Sequence, residues 1–230
     1  MNLLAIETAT ETCSVALSIN GEVRERYVHV PRHHAEFLLP WVGSLLADAG
    51  ISLPAVDAIA FSRGPGSFVS LRLGIGVVQG LAWSVDRPVI PISSLAATAQ
   101  SALSSGSEHL QTSKILVALD ARMNEVFSGL FEINADGVLN SIEPEQVCSP
   151  ESIVKYANED TLGVGIGFER YELLTSLHSS LGGLSADIWP KASSVLTLAE
   201  HWLESNDPLP ADQAQPVYLR NDVAKKSTKQ

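Results

Sequence analysis

The segment Ser62-Arg63-Gly64-Pro65-Gly66-Ser67-Phe68, continuing through Leu71-Arg72-Leu73-Gly74, restricts the fold more than any other stretch of the chain. The short apolar run Asp57 to Phe61 before it predicts a strand. The residues after it, Ser67 to Trp83, predict a long helix with apolar positions at Phe68, Leu71, Ile75, Val78 and Ala82. Strand, glycine loop and helix make the shape of an anion or nucleotide cradle. Gly64 and Gly66 accept positive φ, Pro65 stiffens the turn, and Ser67 is placed to cap the free N–H groups of a helix whose dipole favours an anion. Neither common phosphate motif is present: no lysine precedes Ser67 as in a P-loop, and Gly74, Gly76 and Gly80 miss the dinucleotide spacing. Loop chemistry alone leaves a plain strand-to-helix connection and a ligand loop both open. Gly76 and Gly80 read instead as positions that let another helix approach closely.

Around this segment the pattern is that of an α/β chain. Asn2 to Glu7, Cys13 to Ile19 and Gly21 to Val30 predict three strands, with Asn20-Gly21 a strong hairpin signal between the second and third. A helix follows from Arg32 to Ala49, with Phe37, Leu38, Trp41, Val42, Leu45 and Leu46 on a wide apolar stripe and Gly50 after its end. Pro40 lies inside it and is expected to bend it or break its hydrogen-bond ladder. A strand at Pro88 to Ile92 and a helix from Ser94 to Leu103 complete a β-β-β-α-β-α-β-α order.

The polar stretch Ser104-Ser105-Gly106-Ser107-Glu108 marks an expected junction, dividing the chain into residues 1–105, residues 106–219 and a tail, 220–230. Past it the pattern partly restarts. Lys114 to Leu119 and Glu125 to Glu132 read as strands, Asp136-Gly137 turns into a third at Val138 to Ile142, and Leu162 to Ile166 is an apolar strand. Helix signals lie at Pro150 to Ala157, Tyr171 to Leu177 and Ser193 to Leu203. Two α/β subdomains of similar strand order, with mixed sheets and helices on both faces, resemble the organisation of the actin and sugar-kinase (ASKHA, ribonuclease H-like) superfamily.

Composition narrows the class. The 230 residues, 45% of them hydrophobic, suffice for a substantial core. The longest apolar stretch, Leu73 to Trp83, contains Gln79 and is too short to span a bilayer, and the first apolar run carries Glu7 with no basic leader, so a soluble cytoplasmic protein without membrane contact is expected. Cys13 and Cys148 are far apart and predict reduced thiols. A formal charge of −11 repels nucleic acid over most of the surface, although residues 220–230 hold four basic residues and one acid and suit a phosphate backbone or an acidic partner.

Candidate chemistry is thin. His29 and His33 have the spacing of a helical metal pair, but Pro31 between them is expected at the first turn of the following helix, which leaves His29 in the strand, and no metal is expected. No nucleophile signature appears, and Ser67 has no evident base. Gly163-Val164-Gly165-Ile166-Gly167 ends a strand and reads as a tight turn, with a nucleotide base or ribose as the alternative occupant. The apolar stripe of the first helix is wider than one sheet contact needs, and Leu73 with Val77 on the second helix lie one turn apart where they can meet it.

Several strings then occur in one order: Ile6-Glu7-Thr8-Ala9-Thr10, His34-Ala35-Glu36 with Leu38-Leu39-Pro40, the glycine segment, Ser93-Ser94-Leu95, Asp120-Ala121-Arg122-Met123-Asn124-Glu125-Val126 and Pro216-Val217-Tyr218-Leu219-Arg220. Together they resemble the bacterial TsaB (YeaZ) family nearly end to end. The resemblance implies a non-catalytic scaffold for the tRNA threonylcarbamoyladenosine (t6A) machinery. Its implied partner is the paralogue TsaD, which carries the transfer of threonylcarbamoyl to N6 of adenosine 37 in tRNAs reading codons that begin with A. It further implies TsaE and the threonylcarbamoyl-AMP synthase as pathway partners, tRNA as an indirect one, and a homodimer when TsaD is absent. The surface implied for TsaD or a second copy is built from Phe37, Leu38, Trp41 and Leu45 of the first helix and Leu73, Gly76, Val77 and Gly80 of the second.

The chain departs from the family pattern at Val69-Ser70, where Thr-Gly is usual, and at Glu7, where Asp is usual. ATP-binding members of the superfamily use an aspartate and a glycine turn in each half. Here those places read Glu7-Thr8-Ala9 and Asp120-Ala121-Arg122, with alanine where glycine would let phosphate reach the backbone. A nucleotide or anion site formed by Glu7, Thr8, Gly64, Gly66, Ser67 and Asp120, serving an ATP-dependent carbamoyl or phosphoryl transferase, is the enzymatic alternative; a metallopeptidase is another. No cofactor is expected, though a nucleotide at a complex interface stays open.

Overall fold

The computed structural model describes residues 1–106, 112–134 and 138–220. The Asp136-Gly137 turn, the end of the polar junction, His109 and the tail beyond Arg220 lie outside the described residues.

Strands β1 (Asn2–Glu7), β2 (Thr12–Ile19) and β3 (Glu22–His29) form an antiparallel meander. Its hairpin is the Asn20-Gly21 turn, with φ of 50° and 86°, values that favour these two residues. Helix α1 (His34–Asp48) follows, then β4 (Ala58–Gly64), α2 (Phe68–Ser84), β5 (Val89–Ser93) and α3 (Ser94–Ser104). Because β4 and β5 lie parallel beyond β1, the sheet order is β3-β2-β1-β4-β5.

The second half repeats that order. Strands β6 (Lys114–Asp120), β7 (Val126–Ile133) and β8 (Leu139–Ser141) are antiparallel, while β10 (Thr161–Val164) and β11 (Gly183–Ser185) run parallel to β6 on its other side. Counted within its own half this is again third, second, first, fourth, fifth, with one addition, β9 (Gln146–Cys148), paired to β7. Two mixed sheets of one topology are the actin-like, ribonuclease H-like arrangement expected above.

Helices α1 and α2 cover one face of the first sheet, where Leu38, Val42 and Leu45 of α1 and Ile75 and Val78 of α2 meet Leu4, Ile6, Val15, Ile59 and Phe61. The opposite face is lined by alanines, Ala5, Ala16, Ala58 and Ala60, whose small side chains admit a close helix. That helix is α6 (Ala192–Trp202), which comes from the far end of the chain and lays Ala192, Val195, Leu196 and Ala199 against them. Its start is fixed by the Ala192 N–H donating to Ser14 Oγ at 2.8 Å and the Ser193 N–H to Glu25 Oε1 at 2.8 Å. Helix α3 bridges the halves, giving Ala97 to the first core and Leu95, Ala99 and Ala102 to the second.

Several local expectations change. Pro150–Tyr156 is a 3-10 helix. The helix expected over Tyr171 to Leu177 divides into α5 (Glu172–Thr175) and a 3-10 turn at Ser176–Ser179, after a short α4 (Gly167–Arg170). Pro40 does not interrupt α1; it is exposed, and only the Glu36 carbonyl loses its donor. Pro31 lies before α1 and outside its first turn, because the helix starts at His34. Phe68, expected on the apolar stripe of α2 with Leu71, Ile75, Val78 and Ala82, is 51% exposed while those four are buried.

Candidate functional site

The glycine segment and the first turn of β1–β2 close on each other. Gly64 has φ +100° at the end of β4, as expected, and is joined to Pro65 by a cis peptide. Gly66 has no positive φ; it is glycine because a Cβ there would sit 2.2 Å from the Ala9 carbonyl oxygen. That same carbonyl accepts the Ser67 N–H at 2.7 Å, and Thr8 Oγ1 donates to the Ser70 carbonyl at 2.9 Å. Ser67 stands at the N-cap of α2, but its hydroxyl bonds the Ser70 hydroxyl at 3.0 Å and caps no backbone group. Ser70, a departure from the family string, is thereby absorbed into the loop, while Val69 points outward at 74% exposure.

Glu7 sits at the end of β1, fully buried. Its Oε1 accepts the Ala9 N–H at 2.5 Å, and its Oε2 has no hydrogen-bond partner among the described residues. Burial pushes its carboxyl up to about 8, against which the Ala9 hydrogen bond acts only in part. Near neutral pH it is a protonated acid, and a cation would have to displace that proton to bind.

Asp120 ends β6 on the other side of a cleft of about 550 Å³ between the halves, which Ala9, Glu11, Arg32, Ser67, Phe68, Asp120, Arg122 and Arg170 help to line. Its carboxylate accepts the Arg122 N–H at 2.8 Å, the Tyr171 hydroxyl at 2.8 Å and Arg170 Nη1 at 2.5 Å. Burial alone would raise its pKa, but the Arg122 N–H, Tyr171, and the Arg170 and Arg122 guanidiniums together hold it below the usual carboxylate range. Arg170 also reaches across the cleft to Glu11 Oε1 at 2.8 Å, and Arg122 does so at 3.4 Å. Two guanidinium groups thus occupy the surroundings of the Glu11 and Asp120 carboxylates. The Gly165-Ile166-Gly167 turn is equally filled, with an added Cβ at either glycine meeting the Ala118 carbonyl within 2.8 Å.

The paired histidines do not converge. His29 in β3 stacks near Trp189, with ring centroids 5.1 Å apart, and His33 bonds Glu36 through Nδ1 at 2.7 Å. His34 is the structural one: buried at the start of α1, its Nε2 lies 3.2 and 3.0 Å from the carbonyls of Thr10 and Thr12, and desolvation lowers its pKa against those two bonds. Among the described residues no group of three or more His, Cys, Asp or Glu is placed to hold a metal ion. No helix among them is long and apolar enough to cross a membrane.

The helical face needs redrawing. Leu38 and Leu45, grouped above with the partner-facing residues, are 0% exposed and belong to the core beneath α1, so they offer no surface. Phe37 and Trp41 are half-buried and stacked at 5.0 Å. On α2, Leu73 and Val77 are half-buried, and Gly76 and Gly80 are exposed with nothing within 4 Å of an added Cβ. Two anchors were missed: Leu39 at 56% exposure and Trp83 at 74%. Val69, Leu73, Gly76, Val77, Gly80 and Trp83 follow the three-and-four spacing of one helix face, which is the signal that marks Trp83 in the sequence. Leu39, Leu73, Gly76, Val77, Gly80 and Leu81 line a shallow, almost wholly apolar groove along it.

Comparison with known proteins places this arrangement. The family model described as TsaD, tRNA N6-adenosine threonylcarbamoyltransferase, matches residues 28–224. The tRNA threonylcarbamoyladenosine biosynthesis protein TsaB of Haemophilus influenzae is 39% identical over 231 residues, spanning 97% of this chain and 95% of the relative. The Escherichia coli protein of that name is 35% identical over 227 residues, spanning 97% and 96%. The solved structure of YeaZ from Pseudomonas aeruginosa superposes with a TM-score of 0.85 at 39% identity, covering 95% of this chain and 99% of that one. With matches of this extent to both sequence and fold, the chain belongs to the TsaB (YeaZ) family.

Proposed function

We propose that the chain serves t6A biosynthesis as a non-catalytic subunit, binding a TsaD-type transferase through α2 and the adjoining edge of α1 and supporting its transfer of threonylcarbamoyl to tRNA. The observation that carries this is the stripe Val69, Leu73, Val77 and Trp83, flanked by Leu39, open at two glycines and left uncovered by the described residues. A contiguous apolar face of this kind marks an interaction site. The two open glycines let a second helix approach the backbone closely. The relatives' names point to t6A, and the TsaD family model matches residues 28–224, a span that includes α1 and α2. When that partner is absent, a second copy of the chain covers the same face. TsaE and the threonylcarbamoyl-AMP synthase act in the same pathway, and tRNA is reached through the complex.

The self-satisfied cleft supports the non-catalytic reading over an ATP-dependent transferase. Glu7 is neutral at working pH, Asp120 is bonded by arginine, and the loop amide of Ser67 is used by Ala9. The test is a reconstituted t6A reaction with TsaD and the remaining pathway proteins. A charge placed in a desolvated helix interface costs several kcal/mol, about a hundredfold or more in affinity. Leu73→Glu and Trp83→Asp are therefore expected to abolish complex formation in sedimentation and t6A formation together, with circular dichroism unchanged. Glu7→Gln and Asp120→Asn are expected to leave t6A formation largely intact. Loss of t6A in the carboxylate variants while the complex still assembles overturns the reading in favour of an enzyme.

A further inference from the structure

We propose that the mouth of the cleft is a recognition site for single-stranded RNA, adjoining the helix-docking face at Val69 and Arg72, with an unstacked base against Phe68 and its flanking phosphates on Arg32 and Arg122. Phe68 and Arg72 each precede a docking residue, Val69 and Leu73, by one position, which turns them about 100° round α2. There the ring of Phe68 stays half exposed although two groups already stack on it. The Arg72 guanidinium lies 3.7 Å from its centroid, and the Tyr218 ring lies 5.5 Å away at 32°. Arg72 Nε donates to the Tyr218 hydroxyl at 2.9 Å, which fixes the cluster. An exposed ring backed by an arginine and a second tilted ring is what an unpaired base packs against.

The charge agrees with this chemistry. The chain is acidic at −11, yet four of its 15 basic residues, Arg32, Arg122, Arg170 and Arg220, line this opening against Glu11, Asp120 and Glu125, with Arg72 behind Phe68. Arg32 is exposed and has no carboxylate partner among the described residues; nor does Arg72. A positive mouth on a negative protein draws a polyanion to one place.

The backbone adds a third observation. Arg122, Met123 and Asn124 lie in succession in the left-handed region, at φ of 61°, 57° and 61°. Arg122 and Met123 carry side chains that disfavour this conformation, and it is held by the Asp120 carboxylate on the Arg122 N–H and by the Glu125 N–H on the Arg122 carbonyl at 3.1 Å. The consequence is that the Arg122 side chain, 71% exposed, and Met123, 58% exposed, stand over the opening. Strain of this kind persists where a site requires it. A free mononucleotide offers the same base and phosphate, but the groups that would receive it are spread along the rim, while the floor is closed by the Ala9–Ser67 contact and the Arg170 bridges. A strand that continues past one base uses all of them.

This proposal rests on the t6A reading only for the origin of the RNA, and the test omits the transferase, so the two can fail separately. The anisotropy of a fluorescein-labelled single-stranded RNA of about a dozen nucleotides is followed with the purified chain at low salt. Binding that weakens steeply as salt is raised is expected. Phe68→Ala and Arg32→Glu, both at exposed positions, are each expected to weaken it at least fivefold, and Arg24→Glu, near the other end of β3, to leave it unchanged. Absence of binding, equal losses in all three variants, or displacement of the RNA by equimolar AMP or by polyglutamate would each overturn the assignment.

Discussion

Replacing Glu7 by glutamine tests the reasoning about the cradle through stability, without any assay of function. The wild-type carboxyl is fully buried and protonated up to about pH 8, whereas in the unfolded chain it ionises near 4.5. With the folded pKa raised, the folded state binds the proton more tightly. Below the unfolded value both states are protonated and nothing is lost; between 4.5 and 8 the unfolded chain gains the free energy of ionising and the folded one does not. Stability therefore declines through that window by about 1.4 kcal/mol per pH unit, reaching a loss of about 3 kcal/mol at pH 7. Glutamine cannot ionise, so its stability lacks this slope. Its Oε1 can keep the Ala9 N–H, but its amide N–H groups fall where Oε2 now finds no partner, at a constant cost of about 1–3 kcal/mol. The variant is thus expected to be the less stable protein near pH 5 and the more stable, or at least equal, one at pH 8. Urea denaturation followed by tryptophan fluorescence at several pH values reads the difference between the two curves, which is expected to change by about 3 kcal/mol from pH 5 to 8. Parallel curves would falsify the claim that Glu7 is neutral in the folded protein, and with it the argument that β1 offers no anionic ligand for a cation.

Two further outcomes probe the other side of the cleft. Arg170→Ala removes ion pairs to both Asp120 and Glu11; with Asp120 still bonded by Arg122 and Tyr171, a loss of about 1–2 kcal/mol is expected. That loss should shrink in denaturation below the carboxylate range, where protonated Asp120 no longer needs the guanidinium. Met123→Gly relieves a left-handed residue with an exposed side chain and is expected to stabilise by about 0.5–1 kcal/mol, read as a raised thermal midpoint.

The architecture was largely legible because its signals are local. Asn20-Gly21 fixes a hairpin whose register is maintained for the whole of β2 and β3, and the apolar periodicities set α1, α2 and α6 within a few residues. The strands β9 and β11 were missed because three residues carry no alternation to read. The exposed apolar face proposed for docking was only partly legible. Period gives the direction in which a side chain points, and α1 was correctly seen to carry an apolar stripe; depth depends on what other elements cover, so Leu38 and Leu45 went to the core while Leu39 stayed outside. Gly66 shows the same limit at one residue. Its identity reflects not its own dihedral angles but the Ala9 carbonyl 57 positions earlier in a chain of 230, a contact that only the closed fold creates.

The cleft and the docking face are linked through the ends of the same elements. The polar groups that border the cleft are already engaged. They are bonded to protein: the Ser67 amide to Ala9, the Thr8 hydroxyl to Ser70, Asp120 to Arg170, and Glu11 across the gap to Arg170 and Arg122. Helix α3 and the return of α6 onto the first sheet tie the halves again from behind. Opening such a cleft would part the Glu11 carboxylate from Arg170 and Arg122 on the other half, with no ligand to offset the loss. Since the glycine loop that is held by Ala9 is also the start of α2, the immobilised cleft fixes the helix that carries Leu73, Val77 and Trp83. A face held in place before association loses less conformational freedom on docking. Filling the old cradle with the chain's own side chains is, in the proposed role, what makes a good platform of a poor enzyme.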